Sequence, residues 1–343
     1  MAFNNSILPS PLISIVIPVY QGEVFISETL NSLINQTYEN IEIVVVDDCS
    51  TDNSCLIVNT FQTKDKRVKL ERLQNNSGVH HARIHGVKKA HGDFLGFVDA
   101  DDWLHPQAIE KMISALMSIN GDIVICGVQF CSEDSIPGKF KVRFQKDDII
   151  EKSILSKFSN LRFGTGSLCN KLYRRQIIEP YITNDFSEDV VINEDYLVNF
   201  GAFKTASRIC LLKDMLYFYR QHNKSATASE DRAAAFAYMI RSYVICLEQY
   251  TDNDQPLKAM VDTLYSKQLS FDTYRINNVS TLDYFSDHIS ESLKRLANIH
   301  PTAIYSLCHI FDQEPNKKAS NSQMITSLLR NTYRYYKRLL SLT

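Results

Sequence analysis

Short runs of β-branched and aliphatic residues alternate with helix-spaced apolar positions through residues 12–131. Ile13–Val19 (ISIVIPV) and 41–46 (IEIVVV) are continuous apolar runs of strand length, and 68–73, 94–98 and 122–130 repeat the pattern. Between the first two, Phe25, Ile26, Leu30, Leu33 and Ile34 recur at the spacing of one helix face. Further helices are expected from about Asp52, over 78–90 and over 106–118. Apolar strands separated by helices predict an α/β fold, a mostly parallel sheet flanked by helices on both faces. In such sheets a ligand sits beyond the carboxyl ends of the strands. Tyr20, Asp47-Asp48 and the run Asp99–Asp102 all fall at such ends, so they are expected to share one rim.

The pattern then changes. Residues 132–165 are polar and irregular, read as a loop with one short helix, and are followed by the distinct segments 170–173 (NKLY), 193–196 (NEDY) and 217–220 (YFYR). From about residue 225 helical periods dominate, at 230–250, 256–274, 282–298, 302–311 and 322–342. Two domains are expected, the first over 11–224 and an all-helical one over 225–343, in keeping with a length of 343 residues.

Composition narrows the function classes. A formal net charge of −2 leaves no nucleic-acid footprint. Eight cysteines are scattered, with no CxxC pair and no zinc spacing, which predicts reduced packing thiols in a cytoplasmic protein. The first residues lack a signal-peptide pattern, and no apolar run reaches the roughly 18 residues of a membrane span. Peripheral attachment at the inner face of the plasma membrane stays open, because 328–340 (LLRNTYRYYKRLL) is basic and aromatic as interfacial helices are. The same stripe equally suits a terminal helix packed on its own domain.

The candidate chemistry is acidic. Asp99-Ala100-Asp101-Asp102 ends an apolar strand, and clustered carboxylates repel one another unless a cation sits among them. Oxygen ligands at a strand end suit Mg²⁺ or Mn²⁺ bridged to a substrate's phosphates, although Asp followed by Pro106 also fits an ordinary turn into a helix. Asp48 can accept a hydrogen bond from a base imide or cap its turn, and Asp52 is expected to cap the helix behind it. Gly78 permits a close approach at the start of the next helix, and Arg83 lies about one turn inside. Glu194 and Asp195 open a later helix, where acids complement the dipole or serve as a general base.

Together 13–20 (ISIVIPVY), 44–52 (VVVDDCSTD), 76–86 (NSGVHHARIHG), 90–103 (AHGDFLGFVDADDW), 170–173 and 194–196 (EDY) resemble the family 2 glycosyltransferases of the GT-A fold. The resemblance spans about residues 12–220. It implies inverting transfer of a sugar from a nucleotide-sugar donor, usually a UDP-sugar, with Mn²⁺ or Mg²⁺. On that pattern Pro18, Val19 and Tyr20 line the nucleoside pocket, Asp48 binds uracil and Arg83 contacts the nucleotide. Asp99, Ala100 and Asp101 would meet the nucleotide-sugar, with Asp99, Asp101 and Asp102 the metal-binding region, and Asp195 beside Glu194 the catalytic base. The implied setting is bacterial surface polysaccharide synthesis (lipopolysaccharide, capsule or a related glycan) on a saccharide or lipid-linked acceptor. Gln21 and Ile84 stand where the family usually has Asn. A non-catalytic nucleotide-sugar-binding subunit is the alternative. A dinucleotide oxidoreductase is disfavoured, since Pro18-Val19-Tyr20-Gln21-Gly22 replaces any GxGxxG after the first strand.

Overall fold

The structure, a computed structural model, describes residues 10–164, 166–186, 194–222, 232–252, 254–269, 282–304 and 307. Its chain divides into two compact units: 1–154 with 163–185 and 205–221, and 155–162 with 186–204 and 222–343. The second unit thus takes in two segments that precede residue 225. The junction near 225 and the terminal helix at 322–342 lie outside the described residues.

The first unit holds one mixed sheet. Its strands in chain order are β1 (Ile13–Val19), β2 (Ile41–Asp47), β3 (Val68–Arg72), β4 (Phe94–Phe97), β5 (Trp103–Leu104), β6 (Ile123–Cys131), β7 (Pro137–Val142), β8 (Asp148–Ile150), β9 (Lys171–Arg174) and β10 (Ile209–Arg220). They run in space as β3-β2-β1-β4-β9-β6-β10-β5, with β7 against β6 and β8 against β10. The first four are parallel, as the continuous apolar runs predict. Beyond them the sheet departs from a parallel one: β9 enters antiparallel to both β4 and β6, while β10 is parallel to β6. Two strands, β7 and β8, occupy the stretch read as a loop. β7 is an exposed, lysine-bearing edge without an apolar alternation to betray it.

Helices α1 (Ile26–Ile34), α2 (Ser54–Lys64), α3 (Val79–Lys89) and α4 (Ala108–Ile119) cover both faces of the sheet. The odd-numbered residues of β1 and β2 form one core with Leu30, Leu33, Val58, Ile109, Met112 and Leu116. On the other face α3 presses on Val16 and Val46. A Cβ on Gly86 would lie 2.4 Å from Val16 Cγ1, so only glycine allows this approach.

Pro18 sits inside a central strand, where a missing N–H normally breaks a ladder. The Val19 carbonyl accepts from Asp48 on the β2 side, and the Val16 carbonyl accepts from Val98 on the β4 side. Backbone polar groups alternate sides along a strand, so Pro18 faces β4, whose pairing with β1 ends at Val16–Phe97. The proline falls where no ladder bond is formed.

In the second unit, α5 (Ile154–Ser159), which straddles the division, brings Phe158 into a stack with Phe203. After α6 (Arg175–Ile182) of the first unit come α7 (Glu194–Thr205), α8 (Arg232–Tyr250), α9 (Gln255–Leu269) and α10 (Leu282–Ile299). Tyr243 of α8 stacks on Tyr265 of α9 at 4.7 Å between ring centroids, and Asp262 ties Tyr243 to His300. Among the described residues no helix is long and apolar enough to cross a membrane.

At the amino end of the sheet Glu42 is buried in β2, where its carboxylate accepts from Ser14 Oγ (2.6 Å), Lys69 Nζ (2.6 Å) and the His91 and Gly92 amides. Burial alone would raise this carboxyl, but Lys69, Ser14 and His91 outweigh it and hold its pKa at about 2. A carboxylate depressed in the fold stabilises it fully above the unfolded value near 4.5, and the contribution fades as pH falls from there toward 2. Over that window the protein should lose on the order of 2–3 kcal/mol through Glu42. Denaturant titrations above and inside the window should find Glu42→Gln less stable at neutral pH and less sensitive to acid than the native protein.

Candidate active site

The carboxyl ends of β1, β2 and β4 and the start of α3 bring the expected rim together. Tyr20 leaves β1 with about half of its surface exposed, whereas Pro18 and Val19 are buried. Asp48 is also buried, and its two carboxylate oxygens accept from the amides of Ser77 (2.7 Å) and Gly78 (2.8 Å). Its carboxylate therefore clamps the loop before α3, each oxygen retaining a lone pair. Gly78 carries φ +89° and ψ 163°, a conformation essentially reserved for glycine.

The β1 and β2 ends are laced by Gln21, whose amide group donates to Thr51 Oγ1 and accepts from the Thr51 and Asp52 amides. Gln21 lies in the left-handed region at φ 52°, which asparagine adopts more readily than glutamine. Asp52 serves the start of α2, its carboxylate accepting from the amide and hydroxyl of Ser54, as expected.

Asp99, Ala100, Asp101 and Asp102 form a turn closed by the Asp102 amide on the Asp99 carbonyl (3.1 Å). Asp99 keeps about a third of its side chain exposed. It pairs with Arg83 Nη2 at 3.0 Å and accepts from Cys169 Sγ at 3.1 Å. Arg83, expected against the nucleotide, is buried in α3 with its guanidinium on Asp99. Ala100 and Asp101 are partly exposed.

Asp102, expected among the metal ligands with Asp99 and Asp101, is placed differently from them. It is 1% exposed, and its carboxylate accepts from the Tyr217 hydroxyl (2.6 Å) and the Arg220 amide (2.8 Å). Burial, then the charges of Asp101 and Asp99, push its carboxyl well above the usual range. Its carboxylate is turned inward and supports the turn. Burial and Asp102 likewise raise the Tyr217 hydroxyl, which also accepts from the Asp99 amide at 3.3 Å.

Among the described residues no group of three or more His, Cys, Asp or Glu side chains could hold a metal by itself. Asp99 and Asp101 nevertheless fit a shared site: two partly exposed oxygen donors suit a hard divalent ion that takes its other ligands from a diphosphate and water.

Glu194 and Asp195 open α7 in the second unit, Glu194 buried and Asp195 half-buried. Asn193 lies outside the described residues. The sequence pattern gives no role to Thr29, Cys169, Tyr217 or Arg220, all of which touch the Asp99–Asp102 turn. Only the aromatic segment 217–220 offered a signal, and it names no partner.

The model of the family described as glycosyl transferase family 2 matches residues 14–182. The uncharacterized glycosyltransferase EpsJ of Bacillus subtilis (strain 168) is 32% identical over 238 residues, 68% of each chain. Glycosyltransferase GlyG of Streptococcus pneumoniae serotype 4 is 29% identical across 64% of this chain and 74% of its own. The crystal structure of S. aureus TarS 1-349 superposes with a TM-score of 0.65 at 19% identity, over 96% of this chain and 91% of that one, a likeness of fold. The chain belongs to the family 2 glycosyltransferases, with their GT-A fold and a helical C-terminal region. It is accordingly a transferase enzyme.

The Asp48 clamp yields a direct test. Nothing lies within 4 Å of a methyl group added at Gly78, so Gly78→Ala meets only backbone strain. A loss of about 1–3 kcal/mol is expected, and chemical denaturation would measure it.

Proposed function

We propose that this protein is an inverting glycosyltransferase that moves a sugar from a UDP-sugar to a hydroxyl of a saccharide or lipid-linked acceptor in bacterial surface polysaccharide synthesis. The observation that carries the proposal is the rim itself: an exposed Tyr20, the clamped Asp48 and two partly exposed acids, Asp99 and Asp101, at adjacent strand ends. An aromatic face and a carboxylate acceptor suit a uracil base, and the acids suit a diphosphate that arrives with a cation. The structural neighbour TarS was crystallised with UDP-GlcNAc, and a mannosyltransferase of Pyrobaculum calidifontis with GDP-Man and Mn²⁺ at a TM-score of 0.52. Staphylococcus aureus TarS (strain Mu50), a poly(ribitol-phosphate) beta-N-acetylglucosaminyltransferase, is 29% identical over 66% of this chain. A β-linked product from an α-linked donor requires inversion, which supports a single displacement here.

Asp99 and Asp101 would hold Mn²⁺ or Mg²⁺, and the bound ion would balance charge on the departing diphosphate. Tyr20 and Asp48 orient the nucleoside. Asp195 accepts the proton of the acceptor hydroxyl as its oxygen bonds to the anomeric carbon, and the bond from that carbon to the UDP oxygen breaks on the opposite face. Glu194 supports the start of the same helix. The terminal segment, outside the described residues, remains the candidate for contact with the inner face of the plasma membrane.

Release of UDP from a panel of UDP-sugars with Mn²⁺ tests the donor class, and no turnover of any of them would refute it. Asp101→Ala should cripple transfer and weaken Mn²⁺-dependent UDP binding, and unchanged calorimetric affinity would remove Asp101 from the metal site. Asp195→Asn should keep UDP binding near native while transfer falls about 10²–10⁴-fold. If Glu194→Gln loses transfer and Asp195→Asn does not, the base is Glu194.

A further inference from the structure

All three backbone carbonyls at the head of the Asp99–Asp102 turn are held. The Asp99 carbonyl accepts from the Asp102 amide, the Ala100 carbonyl from Thr29 Oγ1 of α1 (2.8 Å), and the Asp101 carbonyl from Arg220 Nε at the end of β10 (2.9 Å). The last of these bonds matters most for the site. With the Ala100 and Asp101 carbonyls both held, the peptide planes on either side of Asp101 are fixed, and with them the direction of its Cα–Cβ bond.

Arg220 is built to hold that bond. It is 2% exposed, and its guanidinium lies between the rings of Phe25 (4.7 Å) and Trp103 (4.5 Å). Nη1 donates to the Glu133 carbonyl and to Ser135 Oγ, and Nη2 pairs with Glu28 Oε2 at 2.5 Å. Its own amide donates to Asp102 Oδ1 at 2.8 Å. One arginine thus holds the Asp101 carbonyl through its side chain and the Asp102 carboxylate through its own amide. That arginine is anchored in turn to α1 and to the 133–135 loop. A planar fork with several donors can do this, and a lysine ammonium cannot.

We infer that Arg220 is the positioning residue of the metal-binding turn, presetting Asp101 for a divalent cation before the nucleotide arrives. The role rests on the reading of Asp99 and Asp101 as the cation's ligands. Two like charges held close together resist being ordered, so a turn fixed in advance spares the incoming cation that work. Arg220 acts through Asp101, with its own guanidinium already engaged inside the protein.

The test is calorimetric titration of UDP with and without Mn²⁺, on the full chain and on R220K, E28Q and D101N. R220K keeps the charge but loses the fork. Its Mn²⁺-dependent UDP affinity should fall about tenfold or more while metal-free UDP binding stays within about twofold. A smaller loss of the same Mn²⁺-dependent part is expected for E28Q, which removes only the half-exposed anchor. Equal losses with and without metal would mean a merely structural arginine and overturn the inference, as would native behaviour of R220K. Should R220K fail to fold, E28Q decides alone: a metal-specific loss supports the role and native behaviour overturns it. D101N separates the two layers. If it binds Mn²⁺ and UDP as the native protein does, the metal reading falls. If it loses the metal dependence and R220K keeps it, only the role of Arg220 falls.

Discussion

Three carboxylates within four residues repel one another, and the rim of this protein is arranged around that repulsion. The conflict is eased by separating environments. Asp102 is buried with two donors on its carboxylate, Asp99 is paired with Arg83, and Asp101 is left partly open. Each assignment draws on a different element: β10 supplies Tyr217 and the Arg220 amide, and α3 supplies Arg83. The mixed half of the sheet is therefore as necessary to the site as the parallel half that displays it. Without β10 beside β5 and β6, the inward acid would have no donors, and burying it would cost several kcal/mol.

Much of this was legible in the amino-acid order. Continuous apolar runs locate β1, β2, β4 and β6, because a strand buried on both faces cannot hide its composition. The acids at their ends follow from that. Other features depend on distant pairing, which composition does not encode. β9 is four residues long, and nothing in KLYR announces that it will insert antiparallel between β4 and β6. The three acids of the turn look equivalent in sequence, and only the packing of β10 distinguishes Asp102. Arg220 lies 119 positions from the carbonyl it holds, a separation that no local pattern bridges. The bounds of the helical region were harder still, since 155–162 and 186–204 join the second unit from within the earlier stretch.

In the second unit several polar side chains tie one helix to another. Lys258 donates to the Ile299 carbonyl, Lys204 to the Tyr250 carbonyl, and Tyr196 to Gln268. Stacked aromatic pairs such as Phe158 with Phe203 supply geometry as well as buried area. Glu194 and Asp195 therefore open a helix, α7, whose following residues, Leu197 to Phe203, are buried throughout. A side chain based on so firmly packed a helix has little freedom to drift within its own unit.

Pro18 carries a consequence for the shape of the rim. A parallel ladder tends to lengthen wherever two strands can exchange one more pair of bonds, and β1 and β4 run side by side until Val16 and Phe97. The next rung would need an N–H from residue 18, and proline has none. The two strands are thereby released from each other, and the chain after Phe97 is free to bend away into the acidic turn. The strands part where a single hydrogen atom is missing from the backbone.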